Sequence, residues 1–416
     1  MADRPDTVRD LVVVGASLAG LRAVEAARRT GYDGRITLVG AEPHLPYDRP
    51  PLSKAFLDEG TAPEAPPFRT EEHLREELRV DLLLGTPATG LDASDRVLEA
   101  GDREVRYDRL VVATGAAARM LPGTQGVAGV HALRTVDDAA AVRAALDAGA
   151  RTVVIGAGFI GSEVASGARK RGLPVTIVEG LDVPLTRSVG SEAGHVCADL
   201  HRANGADLRL GTGVREVLVS DGRAVGVLLD DGSQVDADLV VAGIGVVPST
   251  GWLGDSGVAL HERDGALLCD ATLATSLPGV YGAGDVAYWP NPLFDDQLMR
   301  LEHWTNAAEH GAAAATNALD PAGGVPVSSV PYFWSDWYGH RIQFVGVPQA
   351  DEVVVLADEP YLALYRRGDR VVGALTIDRP TQIMKLRRLI SQRAPWPEAR
   401  AFAEGLPAVR APQPAG

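Results

Sequence analysis

Residues 153–163 read Val-Val-Ile-Gly-Ala-Gly-Phe-Ile-Gly-Ser-Glu, an apolar run that meets three glycines at spacings of two and three and closes on an acid. Gly156 permits a tight turn, and Gly158 lets the backbone come close to a bulky anion. Gly161 lets a following helix pack tightly on the strand. A helix that opens at Phe159 and Ile160 turns its free N–H groups and positive dipole end toward that anion, which suits a pyrophosphate. A second strand, Pro174–Val178, ends in Glu179, twenty-three residues after Gly156. A carboxylate there is placed to accept from the hydroxyls of an adenosine ribose. Spacing, strand and terminal acid together imply dinucleotide binding.

The logic repeats near the start of the chain. Leu11–Val14 runs into Gly15, and Ser17, Leu18, Ala19 and Gly20 follow. A helix is expected to about Arg29, with Gly31 placed to end it, then a strand over Arg35–Val39. Ser17 stands where the middle glycine would be, and the acid arrives late, as Glu42 after Gly40 and Ala41. Two such units in one chain are the sequence form of two nucleotide sites. After the first comes Pro43-His-Leu-Pro-Tyr-Asp-Arg-Pro-Pro-Leu-Ser-Lys54, whose prolines fix φ and make a stiff, extended loop. It carries Arg49 and Lys54, cations that suit a pyrophosphate or the electron-rich edge of a reduced ring. By residue type alone a solvated loop is the better reading. Gly279–Ala287 ends a further strand in glycines and puts Asp285 at an expected helix start, to meet a ligand hydroxyl or cap the helix.

The elements that must position these residues fit an α/β chain. The 416 residues are 46% apolar and 23% charged, enough for two or three domains with their own cores. The charged start, Met1–Asp6, lacks an apolar signal core, and no run of about 18 apolar residues could span a membrane. Cys197 and Cys269 are the only cysteines and lie far apart. That excludes a CxxC redox pair and a cysteine-rich zinc site, fits a cytoplasmic location, and leaves both as packing residues. No metal site is expected, since His303 has no partner ligands at motif spacing. The net charge of −15 argues against nucleic-acid binding. Gly211–Val241 alternates, with turns at Asp221-Gly222 and Asp231-Gly232, as antiparallel strands do. Thr61–Pro67 reads as a surface loop. The pattern changes near Val327. Aromatics gather in Pro331–Trp337, a hairpin turns at Gly368-Asp369, and a helix is expected over Pro380–Arg393 with Ile383, Leu386, Leu389 and Ile390 inward and Lys385, Arg387 and Arg388 outward. Leu406 onward reads as a loose tail.

These motifs, in this order from about Leu11 to Leu389, resemble the two-dinucleotide-binding-domain flavoproteins. The likeness is strongest to ferredoxin reductases of the putidaredoxin reductase and rhodocoxin reductase type. The crossovers Asp108–Ala116 and Leu239–Pro248 carry the likeness too, although Ser249 stands where the family has Asn. The resemblance implies two Rossmann-like domains, for FAD and NAD, plus a C-terminal β/α interface domain. The implied boundaries are 1–118 and 250–327 for FAD, 119–249 for NAD, 328–405 for the interface domain and 406–416 for the tail.

It also implies roles. Lys54 lies beside flavin N5, paired with Glu163. Arg49, Arg134, Ala88, Asp285, His303 and Trp304 surround the FAD, with Asp285 on the ribityl chain. Glu302, His303 and Trp304 face the nicotinamide side, while Arg187 and Gly245 approach NAD. The implied activity is hydride transfer from NADH to FAD, then single-electron transfer to a two-iron, two-sulfur ferredoxin that serves a haem monooxygenase or Rieske dioxygenase. A monomer or weak dimer is expected. Two alternatives are a redox-sensing interaction protein similar to apoptosis-inducing factor, and an NADH oxidase- or peroxidase-like enzyme. The latter, like a disulfide reductase, needs a redox cysteine near the flavin, and residues 40–60 hold none.

Overall fold

The structure, a computed structural model, describes residues 8–60 and 63–409. The charged start, Thr61 and Ala62, and the end of the Pro/Ala-rich tail lie outside the described residues. Among the described residues the α-helices are α1 (Leu18–Arg29), α2 (Val136–Asp147), α3 (Phe159–Lys170), α4 (Thr186–Ala203), α5 (Trp304–Leu319), α6 (Pro380–Ser391) and α7 (Trp396–Glu404). None is long and apolar enough to cross a membrane. The chain divides into two compact units. One gathers the chain up to Asp48 with Pro66–Ala117 and Val247–Ser329. The other gathers Arg49–Ala65, Ala118–Val246 and the chain from Val330.

The first unit is built on a parallel sheet in the order Val280–Gly282, Arg109–Val112, Asp10–Val14, Arg35–Val39, Val80–Leu83. Its Val- and Leu-rich strands are buried because helices cover such sheets. The earliest strand sits at the centre, so strand order reverses beside it. Ligands of doubly wound sheets bind at the carboxyl ends of strands at that reversal. Helices α1 and α5 pack against each other closely enough that a Cβ on Gly311 would lie 2.0 Å from the Ala19 carbonyl oxygen.

The second unit repeats the plan, in the order Asp207–Leu210, Val175–Glu179, Thr152–Ile155, Leu239–Ala242, Val130–His131. The antiparallel meander covers Val214–Asp236, while Leu239–Val241, expected to continue it, joins the parallel sheet. At Asp221-Gly222 both residues take positive φ, the turn that matches the twist of a tight hairpin. From Tyr332 the chain forms a five-stranded antiparallel sheet with α6 against it, and its hairpin turns at Gly368-Asp369 as expected. Helix α6 stops at Ser391, short of the expected Arg393, whose φ of 52° lies in the left-handed region. Ile383, Leu386 and Ile390 are buried and Leu389 is half-buried.

Candidate functional site

The helices that follow the two glycine turns open with uncapped N-termini, as α4, α5 and α6 also do. Helix α2 is closed by a capping box at Thr135 with Asp138 and carries two acids in its first turn. Helices α1 and α3 have neither a side-chain cap nor an acid in the first turn. Their N–H donors and dipoles therefore suit an anion from outside the chain. The approach is open because glycine is required there. Gly15 has φ +114°, and a Cβ would sit 2.1 Å from the Ala113 carbonyl oxygen; Gly156 has φ +96° and meets the Gly243 oxygen at 2.4 Å. Ser17 takes an extended φ of −129°, open to any residue, so its replacement of glycine brings no backbone strain. This donor set fits the pyrophosphate of one dinucleotide at each turn.

Glu179 ends its strand as expected, and the strand opens at Val175, one residue after the expected Pro174. Its two oxygens accept from the N–H groups of Ala157, at 2.9 Å, and Leu181, at 3.0 Å. The carboxylate is thus held against the glycine turn. Arg187 is exposed in the first turn of α4, which is kinked at Gly190. Gly245 is exposed at φ +93°, with open space where a Cβ would stand.

The proline-rich loop brings Lys54 to Glu163. Lys54 Nζ lies 2.8 Å from Glu163 Oε1, and Glu163 is 4% exposed. The hydroxyls of Ser53 and Ser335 also donate to Glu163. Trp337 Nε1 donates to Ser335 Oγ at 2.6 Å and stacks on the buried ring of His201. Phe159 and Ile160 open α3, and Phe159 packs on Phe333 with centroids 4.5 Å apart. Arg49 donates to the Arg134 carbonyl at 2.7 Å, which joins these two arginine-bearing segments. Sequence reading missed Ser53, Ser335 and Trp337. The one signal for Ser335 and Trp337 was their period-two spacing in an aromatic strand, which puts both on one face.

In the first unit, Tyr47 donates to Glu42 at 2.5 Å, and Trp304 Nε1 donates to Asp48 at 2.8 Å. Glu302 is exposed and paired with Arg300 at 2.9 Å. His303 is the N-cap residue of α5, and burial pushes its ring down to about 4, against the opposing charge of Asp285. Asp285 corrects an expectation: it sits in a single 3₁₀ turn, Gly284–Val286, that runs straight into the strand Ala287–Asn291, so it starts no α-helix. Its carbonyl accepts from Arg300. Ala88 opens a half-buried antiparallel strand. Cys197 and Cys269 are buried and unpaired, and burial pushes both thiols up to about 12. Among the described residues no group of His, Cys, Asp and Glu could hold a metal.

One expectation about the basic surface is also corrected. Arg341 is bound to Asp336 at 2.8 Å, and Arg300 to Asp264 and Glu302. Arg387, expected outward, is half-buried and donates to the Val330 carbonyl. Lys385 and Arg388 remain exposed on α6.

Residues 9–311 match the pyridine nucleotide-disulphide oxidoreductase family, and residues 332–408 match the reductase C-terminal family. The chain is 34% identical to rhodocoxin reductase of Rhodococcus erythropolis over 92% of this chain and 90% of the relative. It is 36% identical to the ferredoxin--NAD(+) reductase component of the p-cumate 2,3-dioxygenase system of Pseudomonas putida, over 94% and 95% of the two chains. A chain of the covalent putidaredoxin reductase–putidaredoxin complex superposes with a TM-score of 0.88 at 32% identity, covering 96% of this chain and 99% of that one.

Proposed function

Because this chain belongs to the pyridine nucleotide-disulphide oxidoreductase family and carries a reductase C-terminal domain, we propose that it is an NADH-dependent, FAD-containing ferredoxin reductase. Its acceptor is a two-iron, two-sulfur ferredoxin that serves an oxygenase. Relatives named as ferredoxin reductase components of oxygenase systems support this reading over nearly the whole chain. The observation that carries the choice within the family is the Lys54–Glu163 pair. The loop after the first glycine turn delivers a buried ion pair, and both cysteines are unpaired and too protonated to act as a dithiol.

The chemistry supplied by bound FAD is hydride acceptance from NADH and single-electron release to the ferredoxin. The chain supplies binding, alignment and charge. Residues 1–118 and 250–327 form the FAD domain. There Gly15 to Gly20 hold the pyrophosphate at α1, Glu42 meets the ribose and Asp285 the ribityl chain. Ala88, His303 and Trp304 line the ring system, joined by Arg49 and Arg134. Residues 119–249 hold NAD at Gly156 to Gly161, with Glu179 on the ribose and Arg187 and Gly245 along the nucleotide. Lys54 and Glu163, with Glu302, orient the reacting rings, and no side chain is asked to act as nucleophile or base. Residues 328–405 present the ferredoxin surface.

The full chain should purify yellow, release one FAD on denaturation, and pass electrons from NADH to cytochrome c only when a two-iron ferredoxin is added. A colourless protein that takes up no FAD would overturn the reading. So would a flavin that NADH reduces but no such ferredoxin reoxidises.

A further inference from the structure

Three donors converge on Glu163, and the direction of one is dictated by a fourth group. An indole N–H can only donate. Trp337 Nε1 lies 2.6 Å from Ser335 Oγ, so the serine oxygen accepts there. Its single hydrogen is left for Glu163 Oε1, the same oxygen that Lys54 approaches at 2.8 Å. Ser53 donates to the other oxygen. The indole cannot turn away: Trp337 is fully buried and stacked on His201, with ring centroids 5.0 Å apart. Ser335 is fully buried as well, so no solvent competes for its hydroxyl.

We propose that Ser335 is a positioning residue for the hydride-transfer site. Its hydroxyl, aimed by Trp337, fixes the Glu163 oxygen that holds the Lys54 ammonium. The C-terminal sheet thereby sets how firmly the cation of the proline-rich loop is held. This rests on the reading of Lys54 given under Proposed function. Removing the hydroxyl leaves Glu163 Oε1 with Lys54 alone and orphans the indole N–H. The acid then gains freedom that its partner shares.

Full-length Ser335→Ala and Trp337→Phe test the contact, each also in a Glu163→Gln background. NADH-dependent reduction of a small dye should show kcat lowered about tenfold in Ser335→Ala, with KM for NADH nearly unchanged, because an aligning contact is lost and not a binding one. Acetylation of the Lys54 amine by an activated ester, followed by peptide mass spectrometry, should quicken severalfold. Trp337→Phe keeps a ring against His201 and should move both readouts in the same direction by less. In the Glu163→Gln background Ser335→Ala should add nothing further, since residues acting through one group are not additive. Wild-type kcat and Lys54 reactivity in both single variants would overturn the proposal, as would effects that add fully on Glu163→Gln. A wild-type protein that NADH cannot reduce would overturn the functional reading instead, and the acetylation rates would still decide the Ser335 contact.

Discussion

Replacing Glu179 by Gln should relax the preference for NADH over NADPH. The carboxylate is anchored by the Ala157 and Leu181 N–H groups, so it cannot swing away from a nucleotide seated on the turn. A 2′-phosphate would replace the hydroxyl it accepts from, at roughly 5 Å and with a charge of about −1.5 to −2. At the effective dielectric of a half-solvated site, about 40 to 80, Coulomb repulsion comes to roughly 1–3 kcal/mol, or about 5- to 150-fold in affinity. Glutamine keeps an acceptor for the Ala157 N–H but removes the charge. Steady-state kcat/KM with each nucleotide, at fixed ionic strength, should show NADPH improving about tenfold and NADH falling severalfold. Equal efficiency of the wild type with both nucleotides would refute the placement of Glu179. A Gln variant with an unchanged ratio would refute the electrostatic argument.

Changing Lys385 and Arg388 together to Glu should slow ferredoxin reduction about tenfold or more at low salt and leave dye reduction nearly unchanged. Raising salt should narrow the gap by screening, and a variant as fast as wild type at low salt would place docking elsewhere. The Cys197→Ser, Cys269→Ser double variant should keep NADH-dependent dye reduction, because thiols pushed up to about 12 hold no thiolate at neutral pH. Loss of activity with flavin bound would reopen a thiol mechanism. Burial holds His201 down at about 4 and His310 at about 3, so both rings are neutral in the folded protein above those values. The unfolded chain takes up their protons from about pH 6.5 downward, so their stability contribution is complete above that pH. It is lost as pH falls toward 4, on the order of 3 kcal/mol for His201. Urea midpoints should fall over that window, and His201→Phe should flatten the decline; an unchanged slope would remove His201 from the account.

Local chemistry made much of this protein legible from its amino-acid order. A glycine turn after an apolar strand is decided by φ and by close approach within a few residues. That is why both glycine turns, α1 to Arg29, the strand Arg35–Val39 and the hairpin at Gly368-Asp369 stand where periodicity put them. The acid at Glu179 was legible for the same reason, since a strand–helix–strand unit has a nearly fixed length.

Side-chain pairing across long sequence separations followed no such period. Ser53 and Ser335 reach Glu163 from 110 and 172 residues away, and only the packed sheet shows that Trp337 aims one of them. Charge on the surface was equally hidden. Arg387 looked as available as Lys385 and Arg388, until folding supplied it with a backbone carbonyl, while Arg300 and Arg341 sit against carboxylates. Sequence alone determined where the two glycine turns stand, because backbone geometry is local. Tertiary structure decided which side chains are already spent, because a hydrogen bond or ion pair depends on who arrives from the rest of the chain.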